Sequence, residues 1–91
     1  MSNVKVTEQQ IQNLLSKSEY KTFHAVFGKL TITVCKLPNG YTLVGSSGCV
    51  DPENYDSELG EQICKQQIED QLWKMEGYSL QSRVFNGPNI R

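Results

Sequence analysis

Four groups of residues in this chain are of types able to do chemistry, and each points to a different kind. Gly45-Ser46-Ser47-Gly48 sets two hydroxyls in a small-residue loop between an expected strand and an expected helix start, where amides and hydroxyls can hold phosphate oxygens. It is neither a Walker loop nor GxGxxG, and it lacks the lysine of the former; a plain strand-to-helix connection accounts for the same residues. Tyr41, Tyr55, Trp73 and Tyr78 offer faces on which a nucleobase can stack, although aromatics in a short chain mostly serve its core. Cys49 follows Gly48 ahead of a helix start, where amides can activate a thiol, but the only histidine available as its base, His24, lies on an early strand. Asp51, Glu53 and Asp56 suggest calcium until they are aligned with an EF-hand loop. Tyr55 then falls on the third ligand position and Asp56 where glycine is required. The run reads instead as solvated carboxylates matched to the positive end of a helix.

Composition narrows the partners. Nine Lys and Arg against ten Asp and Glu give a net charge of −1, which argues against duplex nucleic acid, since that needs a dense basic face. Cys35, Cys49 and Cys64 are odd in number, include no CxxC, and have a single histidine for company. The expectation is three free thiols, no metal and no cofactor. The opening residues MSNVKVTEQQ hold no apolar h-region, and no stretch approaches the ~18 apolar residues of a membrane span. A protein of a reducing cytosol with no membrane partner is therefore expected.

The elements that must position these residues follow from local signals. Ninety-one residues make a single domain, 1–91, with 1–6 and 84–91 read as loose tails. Thr7 with Gln10 forms a capping box, and Val6 with Ile11 a hydrophobic staple, for a short helix carrying Ile11, Leu14 and Leu15. Tyr20 to Phe27 reads as a strand with Phe23, Ala25 and Phe27 on one face. Lys29 to Leu37 alternates, with Leu30, Ile32 and Val34 on one side and Lys29, Thr31, Thr33 and Cys35 on the other. Pro38-Asn39-Gly40 is a hairpin turn, and Tyr41 to Ser46 returns as a third strand. Asp51-Pro52 suits a helical start, the pattern is helical from Asp56 to about Met75, and Gly77 is the expected C-cap, with Tyr78 to Phe85 extended. The fold class is α+β: a three-stranded antiparallel meander with a short N-terminal helix and a long C-terminal helix packed on the sheet through Ile68 and Leu72.

That long helix has two apolar faces. Cys64, Ile68, Leu72 and Met75 fall on one; Tyr55, Leu59, Ile63 and Trp73 fall nearly opposite. Either the first helix or the C-terminal tail covers the second stripe, or a second subunit does. A 37% hydrophobic content, against roughly 45–50% on a slightly broader count for a typical globule, favours extra burial by self-association. Leu59 and Ile63 are the expected interface residues of a homodimer or higher oligomer.

Thr33-Val34-Cys35, Asn39 to Gly45, Cys49-Val50-Asp51-Pro52-Glu53-Asn54-Tyr55-Asp56, Leu59-Gly60 and Trp73-Lys74-Met75-Glu76-Gly77-Tyr78 together make a recognisable pattern. The chain resembles the gp-forty-nine-like family of small tailed-phage accessory proteins from about Thr7 to Leu80. It departs from the family pattern at Ser46-Ser47-Gly48, where Glu-Ser-Ala is common, and at Lys74, where proline is common. The resemblance implies a phage-encoded protein of the host bacterial cytoplasm that is not part of the virion, and it implies no established activity. Among small phage proteins that counter host defence, one strategy is an oligomeric sponge that holds a nucleotide signal without cleaving it. The leading expectation is such a non-enzymatic sponge for a nucleotide second messenger, for example a cyclic dinucleotide. Ser46 and Ser47 are the phosphate-bonding candidates, Tyr55 and Trp73 the base-stacking ones, Asn54 the base-edge one, and Lys29 or Arg83 the cation. The alternative is a host-takeover protein that binds and inhibits a host protein; a Cys49-dependent hydrolase or a phosphodiesterase comes third.

Overall fold

The computed structural model describes residues 5–86. Its elements are α1 (Glu8–Ser16), β1 (Glu19–Val26), β2 (Leu30–Lys36), β3 (Thr42–Gly48), a short 3-10 turn (Pro52–Asn54) and α2 (Ser57–Asn86). The three strands form one antiparallel sheet in the order β1-β2-β3, and α2 lies across one face of it. This is the expected meander with a helix at each end.

Local chemistry sets most of the boundaries. The Gln10 amide donates to Thr7 Oγ1 at 3.2 Å and the Thr7 amide to Gln10 Oε1 at 2.9 Å, so the capping box starts α1. Val6 and Leu14 pack on the core around Ile11. Asn39-Gly40 makes the second hairpin: Gly40 sits at φ +96, and its amide donates to the Leu37 carbonyl at 2.8 Å. Positions 1–4 and 87–91 of the expected tails lie outside the described residues. Val6 is partly buried against the core, and 84–86 belong to α2.

Three details of the sequence reading are corrected. First, β1 does not alternate through Phe27. Its register slips between Phe23 and Val26, Ala25 and Phe27 take left-handed φ values of 54 and 55, and Phe27 ends in the turn, 92% exposed. Second, Gly45 to Gly48 is strand and not loop. Ser46 pairs with Ile32 and Ser47 with Thr31, so β3 runs two residues past its expected end. Third, Gly77 does not stop α2. The helix continues for 30 residues, about 45 Å, and Tyr78 to Phe85 are helical, because Lys74, Met75, Glu76, Leu80 and Gln81 all favour helix.

The first half of this helix covers the sheet. Gly60, Cys64, Ile68 and Leu72 form the buried row, each four residues after the last, as side chains stacked on one helix face must be. A seven-residue strand is only about 23 Å long, so α2 runs on past the sheet, giving the protein extents of 56 × 21 × 21 Å. Trp73 and Met75 pack against the core with Leu14 and Leu15. The chain's own contacts thus account for Trp73, part of the second apolar stripe, and leave Leu59 and Ile63 partly exposed.

The covered face of β2 is the polar one. Thr31, Thr33 and Cys35 are completely buried under α2, whereas Leu30, Ile32 and Val34 are half-buried on the opposite face. Small side chains let the helix approach closely. A Cβ on Gly45 would strike the Cys64 carbonyl, and one on Gly60 would lie 2.8 Å from Thr31 Oγ1. The buried hydroxyls are satisfied: Thr33 bonds Thr22 Oγ1 at 3.1 Å, and Thr31 bonds the Tyr55 hydroxyl.

Candidate functional site

The acidic segment folds as two consecutive caps. Asp51 Oδ1 accepts from the Glu53 amide at 3.0 Å and begins the 3-10 turn, with Pro52 in its first position. Asp56 Oδ1 accepts from the amides of Glu58 and Leu59, both at 3.1 Å, and begins α2. Between the caps Tyr55 is extended, with φ −66 and ψ 128, which swings its ring toward the sheet. Its hydroxyl accepts from the Ala25 amide at 2.8 Å and shares a hydrogen bond with Thr31. One phenol therefore ties the irregular end of β1, the buried face of β2 and the entry to α2.

Around this ring opens a cleft of about 130 Å³. Lys29 enters from the β1–β2 turn, Ser47 from the end of β3, Asn54 and Tyr55 from the capped segment, and Leu59, Gly60 and Ile63 from α2. Four of the seven ligand candidates thus meet in one place: an ammonium, a hydroxyl, an amide and an aromatic ring. The two expected interface residues, Leu59 and Ile63, form its apolar wall and are 52% and 38% exposed. Asp56 also lines the cleft, but its carboxylate is already held by two amides of α2. A typical small-molecule pocket is ~300–1,000 Å³. This one fits a single phosphate or one edge of a base, and the rest of a larger ligand would lie over its rim.

The other three candidates lie elsewhere. Ser46 faces the opposite side of the sheet from Ser47, and its backbone is engaged by Gln67. The Ser46 amide donates to Gln67 Oε1 and Gln67 Nε2 donates to the Ser46 carbonyl, both at 2.9 Å. Trp73 is packed on the core. Arg83 donates to Ser79 Oγ at 3.0 Å, twenty residues and so roughly 30 Å along the helix from Ile63. None of the three shares the cleft.

The Cys49 thiol donates to the carbonyls of Asp51, at 3.2 Å, and Lys29, at 3.6 Å; among the described residues no hydrogen bond joins it to His24. Cys35, Cys49 and Cys64 are free. Wider depressions among the described residues lie elsewhere: one of about 350 Å³ on α2 at Glu58, Glu61 and Lys65, one of about 350 Å³ over Lys21, Val34 and Lys36, and one of about 420 Å³ between the end of α1 and α2. At the last of these Tyr20 lies under the Lys65 ammonium, 5.7 Å from ring centroid to nitrogen. Partial burial, and then the neighbouring Cys35, push the Tyr20 phenol above its usual value. It therefore stays neutral across the physiological range, and none of these depressions holds a residue expected to bind ligand.

Sequence reasoning missed the Tyr55 tie and the two glutamines that α2 holds against β3, Gln67 on Ser46 and Gln71, whose Nε2 donates to the Val44 carbonyl at 2.8 Å. The available signal for the latter is that Gln67 and Gln71 flank the buried row Cys64, Ile68 and Leu72 at the same four-residue spacing. Tyr55→Phe keeps the ring and removes the tie, leaving the Ala25 amide and the buried Thr31 hydroxyl without this partner. A loss of about 1–3 kcal/mol in denaturant unfolding is expected.

The fold and site together define a small α+β protein, a helix, a meander and a long helix, with one semi-polar cleft where sheet and helix meet. It belongs to the phage protein (N4 Gp49/phage Sf6 gene 66) family, whose model matches residues 6–84. No curated protein and no solved structure matches the chain. Among the described residues no helix is long and apolar enough to cross a membrane.

Proposed function

We propose that this phage protein is a non-enzymatic binder that sequesters a small phosphate-bearing nucleotide inside the infected bacterium, as a counter to a defence signal. The observation that carries the reading is the convergence of Lys29, Ser47, Asn54 and Tyr55 on one cleft. The Lys29 ammonium and Ser47 hydroxyl suit a phosphate, which needs a cation and a donor. The Tyr55 ring suits a base face and the Asn54 amide a base edge, while Leu59 and Ile63 keep water from one side. A cyclic dinucleotide would place one phosphate or one base in the cleft, with its second half outside. Sequestration needs no nucleophile, and the engagement of the Cys49 thiol with the Lys29 and Asp51 carbonyls is in keeping with that reading.

The protein incubated with a panel of cyclic mono- and dinucleotides, then heat-denatured, tests this directly. The expected result is depletion of one ligand and its recovery unchanged, with affinity about tenfold weaker in Lys29→Ala. A recovered but altered ligand would make the protein an enzyme, and depletion of none would sink the nucleotide reading. In that event the exposed pair Leu59 and Ile63, beside Asp56 and Glu58 at the acidic start of α2, favours inhibition of a host protein through a basic-rimmed apolar pocket.

A further inference from the structure

The sheet face turned away from α2 has no cover among the described residues, and its composition runs in a gradient. β1 presents Lys21, Phe23 and Val26; β2 presents Leu30, Ile32 and Val34; β3 presents Val44, Ser46 and Gly48. Phe23 is 51% and Val44 52% exposed, and the three β2 residues are only half-buried. Bulk thus falls from Phe23 and Val26 at one edge to Ser46 and Gly48 at the other. We infer that this face is the seat of a second copy of the chain, stacked sheet on sheet about a two-fold axis along β2.

The gradient selects the occupant. A two-fold along β2 lays each β1 over the β3 of the other copy, so that Phe23 stands over Ser46, Val26 over Gly48 and the aliphatic stem of Lys21 over Val44, while Leu30, Ile32 and Val34 meet their own counterparts. Such a surface is self-complementary, as an isologous contact must be. Two sheets of equal twist also stack naturally at about −30°. Charge agrees: the face carries Lys21, Lys36 and Glu19, too few cations for a nucleic acid. Lys36, which the axis brings toward its own copy, lies at the end of the face with Glu19 Oε1 3.9 Å from its ammonium. Three strands about 4.8 Å apart and seven residues long make a face of ~14 × 23 Å. With side-chain relief and rims, two copies reach the ~1,000 Å² at which specific interfaces begin, which corresponds to a weak, concentration-dependent dimer.

This assignment supplies a surface for the self-association expected of a sponge. It does not depend on the nucleotide, because the cleft lies on the α2 side. Light scattering across a concentration series to high micromolar should give the wild type twice its 10.3 kDa chain mass. Val44→Lys and Phe23→Lys, both at half-exposed positions, should retain the wild-type circular dichroism and weaken the dimer tenfold or more. Leu59→Asp, in the cleft wall, should leave the mass unchanged. A wild type of one chain mass throughout overturns the inference, as does a folded lysine variant that keeps the wild-type mass, or dissociation by Leu59→Asp alone. A dimeric wild type that depletes no nucleotide supports this interface provided that the lysine variants dissociate, and sinks only the nucleotide reading.

Discussion

Gly45→Ala should cost about 3 kcal/mol, the upper end of what overpacking does, in a domain whose whole stability is expected at ~5–15 kcal/mol. The added Cβ would land on the Cys64 carbonyl, with the Cys64 carbonyl carbon and Cα both at 3.0 Å. These are backbone atoms of a helix and cannot swing aside as a side-chain tip would. α2 must lift from β3, and in lifting it strains the bonds from Gln67 to Ser46 and from Gln71 to Val44. Urea unfolding should show a much lower midpoint with a similar slope. Gly77→Ala is the contrast, since nothing lies within 4 Å of its added Cβ and the position is helical. It should stabilise by about 0.5–1 kcal/mol. A neutral Gly45→Ala would mean that α2 does not approach β3 this closely.

The second large effect is expected at Ile68. Its side chain is fully buried, midway along the row between Cys64 and Leu72, and joins a cluster with Ile11, Cys35, Leu37 and Leu43. Ile68→Ala should cost about 2–5 kcal/mol, combining lost transfer energy with a cavity that a small sheet-and-helix core collapses poorly. For a chain of this size that corresponds to a fall of roughly 10–30 °C in Tm. Val50→Ala, at a position almost wholly in water, should change stability by less than about 0.5 kcal/mol in the same scan. Equal shifts for the two would place the core elsewhere.

The parts of this fold that sequence reveals are those set by neighbours in the chain. Thr7 and Gln10, Asn39-Gly40 and the Ile68–Leu72 spacing each encode their geometry within a few residues. What escapes is decided between distant segments. Gly45 to Gly48 resembles a loop by composition and is held as a strand because β2 offers it a partner. The face holding Thr31 and Thr33 looks like the solvent side and is buried, because hydroxyls from Thr22 and Tyr55 reach it and because Gly45 and Gly60 let α2 come near. The site divides in the same way. Lys29, Ser47, Asn54 and Tyr55 converge because turns and caps at one end of the sheet bring them there. Trp73 and Arg83 sit farther along α2, which aromatic character and charge alone cannot tell apart from the cleft.

The glutamine pair on α2 has a consequence for misfolding. An outermost strand with free amides and carbonyls recruits other strands and seeds aggregates. On β3, Gln67 and Gln71 occupy the Ser46 amide and carbonyl and the Val44 carbonyl. A recruited strand would have to displace three hydrogen bonds, each worth about 0.5–1.5 kcal/mol net, before it made its own. The guard belongs to the same helix that completes the core. A partly unfolded chain with α2 peeled away therefore exposes the apolar core side chains Leu43, Ile68 and Leu72 and an unguarded β3 together, and it recruits strands along β3 more readily than the native chain does.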